Sequence, residues 1–381
     1  MLLVTLLLGA CAPFKVAIQD SVGYGAQALQ GHLGVLSKSR PIENWLLDPL
    51  TPASLRSRLT QVEQIRAFAS RELGLPDNRS YRSYADLQRP FAVWNVFAAP
   101  ELSLKLEAWC FPVLGCLSYR GYFDQEAAQG FAKRLVAQGR EVHVGGIPAY
   151  STLGLTADPV LNTFIDLPDG ELARLLFHEL AHQVIYVPDD STFNESFATA
   201  VEIAGVELWL NTRDPTTRER YTEHEARRRD FQKLLRSARK QLDVVYQNAG
   251  TDDLKRAQKL AVQQSILMDY RRLRDGQWGG YAGYDRFFAQ APNNAQLAAV
   301  GTYDELVPDF LALFCSTPLE TADSPAFTAF FRRVRELASS PRDARRAALR
   351  GAVRFTQTNA ARAGAGKPRT VIELGLCSTA L

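Results

Sequence analysis

The sequence predicts an α+β protein that is mainly helical, with a small sheet in its first half and a largely helical C-terminal half. Three observations carry that expectation. Helix start and stop signals recur along the chain. One run, PFAVWNVFAA from Pro90 to Ala99, is rich in aromatic and β-branched residues and is bounded by Pro90 and Pro100. The charged repeats from Pro215 to about Arg274 read as long helices. With 381 residues, 46% of them hydrophobic and 22% charged, the chain can bury a substantial core.

The first eleven residues, MLLVTLLLGAC, are apolar but too short to span a bilayer as a helix. They read as an export segment, 1–11. Leu8 to Cys11 resembles a bacterial lipobox, which implies that Cys11 carries the lipid after cleavage, although no basic residue precedes Lys15. A buried N-terminal element of an intracellular protein is the alternative. Residues 12–381 are expected to form one unit in three parts: helical from 12 to 88, α/β from 89 to 210, and helical from 211 to 381.

Thr51-Pro52 reads as a helix cap followed by Pro at the first helical position, and Gly74 with Pro76 supplies the stop, so residues 52–73 are expected to be helical. The strand at 90–99 follows. A helix from Asp124 to Gln138 is closed by Gly139, and Glu141 to Val144 begins a second extended segment. Residues 149–154, AYSTLG, are expected as an exposed strand or loop beside a cleft. There Tyr150, Ser151 and Gly154 would offer backbone edge to an extended peptide. Beyond Leu210 the helices break near Asn248-Ala249-Gly250, and their Arg and Lys clusters read as solvated faces.

If Cys11 is taken by lipid, four cysteines remain, an even number that suits an oxidising compartment, with three pairings open. Pro112 and Gly115 in CFPVLGC favour a turn that joins Cys110 to Cys116, leaving Cys315 for Cys377. Four reduced thiols are the alternative for a chain that is not exported. The net charge of +3, from 44 basic and 41 acidic residues, gives no case for nucleic acid as a partner.

The chemistry concentrates in FHELAHQ. His178 and His182 are four apart and share one face of a helix that begins near Glu171, so their imidazoles can grip one zinc ion, with Glu179 beside them as general base. Leu172, Leu175, Leu176, Leu180, Val184 and Ile185 pack around them. A third protein ligand is needed. The next segment, FNESFATAVE, resembles the third-ligand helix of gluzincin metallopeptidases, and especially the Asn-Glu-Gly-Phe-Ala pattern of the family 1 zinc aminopeptidases. That resemblance implies Glu195 as the ligand.

Twelve residues, 183–194, separate His182 from Glu195, fewer than in those aminopeptidases, so the connection must be tightened. Glu202 is the rival ligand, or else orients a zinc histidine from behind. WNVFAAPELSL, WCFPVLGC, YRGYF, AYSTLG, FHELAHQ and FNESFA together resemble a bacterial family of predicted aminopeptidases over most of the chain. That resemblance implies a peptide substrate and one zinc ion, while the lipobox resemblance at Cys11 implies a place on the periplasmic side of the cell envelope through a lipid anchor.

The remaining roles are open at this point. Tyr303 and Tyr284 are candidates for an oxyanion donor, and each reads first as a packed or interfacial tyrosine. Glu101 is the candidate to hold a substrate's terminal ammonium, or else an exposed carboxylate at a strand end. Asn293-Asn294 reads as a turn or cap, or as a polar contact for substrate. Two other functions stay in view, a zinc endopeptidase and a non-catalytic, zinc-stabilised envelope interaction protein. The sequence does not fix the oligomeric state.

Overall fold

The computed structural model describes residues 12–111, 115–301, 306–317, 321, 324–351 and 377. Cys11 and Tyr303 lie outside them. The fold is α+β and mainly helical, with small mixed sheets.

Helix α1 (Ala12–Ser37) leads through β1 (Arg40–Pro41) and α2 (Ile42–Leu47) into α3 (Ala53–Arg71). Leu59, Val62, Ile65, Phe68 and Ala69 recur at helical spacing along α3 and are all buried. Thr51 does not cap this helix. Its Oγ1 donates instead to the carbonyl of Trp45 at 2.7 Å, and Pro52 stands at the cap position. At the far end Gly74 takes φ +72°, a conformation that stops the helix without a Cβ penalty.

Strand β2 (Ser83–Ala85) pairs antiparallel with β1 and parallel with β8 (Val160–Leu161). The strand expected at 90–99 is β3 (Val93–Pro100), the centre of an antiparallel sheet between β6 (Arg120–Tyr122) and β7 (Arg140–Ile147). Its apolar run is continuous because both faces are covered. Trp94, Val96 and Ala98 pack with Phe131 and Leu135 of α4 (Gln125–Ala137), while Phe97 and Ala99 pack with Ala295 and Ala299 of α9 (Asn294–Gly301). Asp124 caps α4 by accepting the Ala127 N–H at 2.7 Å. In the hairpin of β4 (Trp109–Phe111) and β5 (Gly115–Leu117), Cys110 stands opposite Cys116 and their sulfurs are bonded. The sulfurs of Cys315 and Cys377 are bonded as well.

Residues 149–154 are not an edge strand. Thr152 donates its N–H and Oγ1–H to the buried carboxylate of Asp158 at 3.0 and 2.7 Å, Ser151 adds a bond of 3.3 Å, and Leu153 and Gly154 take positive φ. A backbone curled onto a buried acid has no straight edge to offer a peptide. Tyr150 meets His32 Nδ1 at 2.9 Å through its hydroxyl.

The centre of the molecule is α5 (Asp169–His182) packed on α6 (Ser191–Leu210), with α10 (Val307–Cys315) against α6. Leu172, Leu176, Phe177 and Leu180 of α5 have no exposed surface, and each contributes about 2 kcal/mol of burial. Around α6, Phe193, Phe197, Phe310 and Phe330 are fully buried. Helices α7 (Pro215–Gln247) and α8 (Asp252–Arg272) form a hairpin that breaks at residues 248–251, where Thr251 caps α8. A π-helical turn (Leu273–Gln277), α11 (Thr328–Ala338) and a helix at 342–351 complete the described chain. Among the described residues no helix is long and apolar enough to cross a membrane.

Candidate metal centre

Arg174, His178 and His182 follow one another at four-residue steps and form a ridge on α5. Helix α5 carries Asp169 and Glu171 in its first turn, where acids suit the dipole. Gly170 lets α7 come close, since a Cβ there would stand 2.4 Å from the Tyr221 ring.

The tight connection to α6 is held by Asn194, whose Oδ1 accepts the Val187 N–H and whose Nδ2 donates to the Val187 carbonyl, both at 2.8 Å. Asp190 caps the helix by accepting the Phe193 N–H at 3.3 Å, and is itself bound by Arg345 at 2.7 Å and Arg346 at 3.4 Å. Asp189, at φ +62°, accepts the Cys116 N–H at 2.9 Å, which docks the stapled hairpin on the same connection. None of these supports is readable from spacing, although Asn194 stood in the quoted motif.

The result is a convergence of three side chains. His178 Nε2 and His182 Nε2 are 3.1 Å apart, and Glu195 Oε2 lies 3.3 Å from the first and 3.6 Å from the second. Ligand bonds of about 2.0–2.1 Å in a tetrahedron would separate neighbouring ligand atoms by about 3.3 Å. The three donors therefore fit a small tetrahedral cation, and two imidazoles with one carboxylate are a donor set that zinc accepts.

Glu202 approaches from the other side. Its Oε2 is 2.9 Å from His178 Nδ1, and its Oε1 accepts from Arg174. A carboxylate on Nδ1 fixes the tautomer that leaves Nε2 free to bind a cation.

Burial by itself would lower the His178 imidazole, but hydrogen bonds that the Glu195 and Glu202 carboxylates accept from it outweigh burial and raise the group well above its ordinary value. Burial likewise raises Glu195, yet the charges and hydrogen bonds of His182 and His178 hold its carboxyl well below the usual range. Glu179 is raised, chiefly by burial. The buried Nδ1 of His182 has no hydrogen-bond partner among the described residues.

Other expected residues lie elsewhere. Tyr284 stacks on Phe231 with centroids 4.2 Å apart, inside the aromatic cluster of the α7–α8 hairpin, where burial pushes its hydroxyl up to about 12. Glu101 is clasped by Arg256 at 2.9 and 3.1 Å on the exposed side of α8. Asn293 caps α9 by accepting the Gln296 N–H at 2.9 Å, and Asn294 is fully buried. Tyr303 is outside the described residues; Leu306 donates its N–H to Ser196 Oγ, beside Glu195, at 3.2 Å.

The tyrosines whose hydroxyls feel the Glu195 charge are Tyr119 and Tyr186, both raised, first by burial and then by that carboxylate. Sequence reasoning passed over them. Tyr186 stands four residues after His182 and Tyr119 opens the YRGYF run, but nothing local singles either out. Tyr81, buried and at φ +61°, feels Glu179 and Asp158.

No curated protein and no solved structure matches the chain. Residues 23–349, most of its length, match the family described as "Putative aminopeptidase", and the chain belongs to that family.

Proposed function

We propose that the chain is a zinc-dependent peptidase of the gluzincin type, acting as an aminopeptidase on peptides at the bacterial cell envelope. The observation that carries this reading is the tetrahedral-edge spacing of His178 Nε2, His182 Nε2 and Glu195 Oε2 beside Glu179, in a chain of an aminopeptidase family. These three side chains would hold one zinc ion. A bound zinc supplies an acidified water and a polarised scissile carbonyl.

Glu179, kept basic by burial, takes the proton of the attacking water and delivers it to the leaving amine. Glu202 steadies His178 through Nδ1. Tyr119 and Tyr186, whose hydroxyls feel the Glu195 charge, join Tyr303 as candidates to donate to the oxygen on which charge develops.

The test is Glu179→Gln with metal analysis. Zinc should be retained while hydrolysis falls by about 10²-fold to 10⁴-fold, and equal hydrolysis by variant and wild type would sink the mechanism. One observation favours an endopeptidase, namely that Glu101, the carboxylate expected to hold a terminal ammonium, is engaged by Arg256. Peptides with free and acetylated N-termini separate the two, because an aminopeptidase fails on the acetylated set. The envelope location rests on the apolar run 1–10 and on Cys11. Cys11→Ser should move the protein from membranes to the soluble fraction, and unchanged membrane retention would refute the anchor.

A further inference from the structure

The connection at residues 183–190 carries the chain from His182 to the helix of Glu195, and one of its outside contacts comes from the stapled hairpin. Cys110 and Cys116 face each other across β4 and β5, both are exposed, and the Cys116 N–H donates to Asp189 Oδ1 at 2.9 Å. At that point of contact Asp189 holds φ +62°, which residues other than glycine seldom adopt. Beyond Leu117 the same chain runs through Ser118 to Tyr119, whose hydroxyl feels the Glu195 charge.

The two described disulfides differ in what they contribute. Cys315 and Cys377 are bonded across 62 positions, Cys110 and Cys116 across 6. The freedom that a crosslink removes from the unfolded chain grows with loop length, so the short loop adds less to global stability. Locally it matters more. A hairpin of two three-residue strands is marginal by itself. Its flanks are anchored on other elements, Trp109 with its ring centroid 5.9 Å from that of Phe131 and Arg120 in β6. Between those anchors the disulfide keeps the strands in register, and so keeps Cys116 on Asp189.

We propose that Cys110–Cys116 is a redox-sensitive latch on the metal centre, closed when oxidised and released by a dithiol. One thiolate of the dithiol attacks a protein sulfur to form a mixed disulfide, and the second displaces that sulfur and closes a cyclic disulfide. The protein bond gains two electrons, the dithiol loses two, and its two protons end on the Cys110 and Cys116 sulfurs. Exposed disulfides are the more readily reduced, and both residues of this one are exposed. Release lets the hairpin leave Asp189 and removes one support of the connection, while Asn194 on Val187 and Arg345 on Asp190 remain. The effect on zinc rests on the metal centre proposed above; the release itself does not.

The experiment is hydrogen exchange, read by mass spectrometry, on the metal-free full chain. Oxidised protein is compared with protein reduced by dithiothreitol, its thiols capped with iodoacetamide and the reductant removed. Residues 183–190 should exchange at least about tenfold faster after reduction, as loss of a hydrogen bond to a charged acceptor predicts. The double variant Cys110→Ser, Cys116→Ser should reproduce that rise with no reductant and with Cys315–Cys377 intact. In Asp189→Gly, where glycine accepts the positive φ and the acceptor is gone, reduction should add nothing further. Zinc affinity of the reduced, capped chain should fall about tenfold, the low end for outer support of a metal ligand. Unchanged exchange at 183–190 in the double variant, or in the reduced chain if that variant does not fold, overturns the latch. Faster exchange with unchanged zinc affinity overturns its action on the metal centre. An oxidised chain that binds no zinc overturns the metal centre instead, and exchange then decides the latch alone.

Discussion

Replacing Glu202 by Gln separates the support of the metal centre from its ligands. The side chain is 6% exposed and spans two partners, His178 Nδ1 at 2.9 Å and Arg174. Gln keeps the shape and loses the charge. Removing an anionic partner from a metal-bound histidine costs about 10-fold to 100-fold in metal affinity, or about 1.4–2.7 kcal/mol.

Breaking the ion pair adds a folding cost. A buried pair that loses one partner costs about 3–5 kcal/mol, and the lower end applies here, because Arg174 retains Glu171 at 3.8 Å. Glu202→Gln should therefore lose about 3 kcal/mol of stability and only one to two decades of zinc affinity. Glu195→Ala should do the reverse, losing zinc almost completely with less damage to the fold, since its side chain is 22% exposed. Competition with a chromophoric chelator measures the affinity and urea unfolding of the metal-free chain measures the stability. Should Glu202→Gln lose more zinc than Glu195→Ala, the third ligand is Glu202; should it lose neither zinc nor stability, the bridging role is wrong.

Two further outcomes follow from packing and charge. A Cβ at Gly205 of α6 would stand 2.9 Å from Leu73 Cδ1 and 3.0 Å from Phe177 Cδ2, so Gly205→Ala should cost about 1–3 kcal/mol in urea unfolding and widen the α5–α6 gap, reducing zinc affinity along with stability. Asp190 is 1% exposed; burial alone would raise its carboxyl, but Arg345 and the cap bond hold it below its ordinary value. A carboxyl depressed in the folded state stabilises above about pH 4 and loses that contribution as pH falls through the folded value. Asp190→Ala should then cost about 3–5 kcal/mol at pH 7 and flatten the acid limb of stability against pH, which urea midpoints between pH 7 and 3 would reveal.

What could be read from the sequence was whatever local spacing determines. His178 and His182 share a face because four residues make about one turn, and the apolar positions of α5 are buried as their periodicity requires. Asp124 and the break at 248–250 are likewise local signals. Other placements depend on partners, near or far along the chain, that no periodicity specifies. Asp158 draws residues 151–152 inward and removes the edge strand. Arg256 reaches Glu101 across 155 positions, and the α7–α8 hairpin folds Tyr284 onto Phe231. Arg236 and Arg239 look like solvated charge until α5, α6 and α10 close a cavity around them. No periodicity reports such meetings, because the competing solvated conformation has the same local pattern.

The geometry favours Glu195 over Glu202 because of the way two helices with a short connection run against each other. Along α5 the ridge reads Arg174, His178, His182; along α6 the two acids stand seven residues, about two turns, apart. Antiparallel packing sets the earlier acid of α6 against the later histidine of α5, so Glu195 meets His182 and His178 while Glu202 meets His178 and Arg174. The two acids therefore reach opposite nitrogens of the same imidazole, Glu195 at Nε2 and Glu202 at Nδ1. The Nε2 side also holds His182, and among the described residues it is there that three donors can surround one ion. Exchanging the two roles would require α6 to slide along α5. Gly205 against Phe177 and the Asn194 clamp on Val187 oppose that slide from the two ends of the helix.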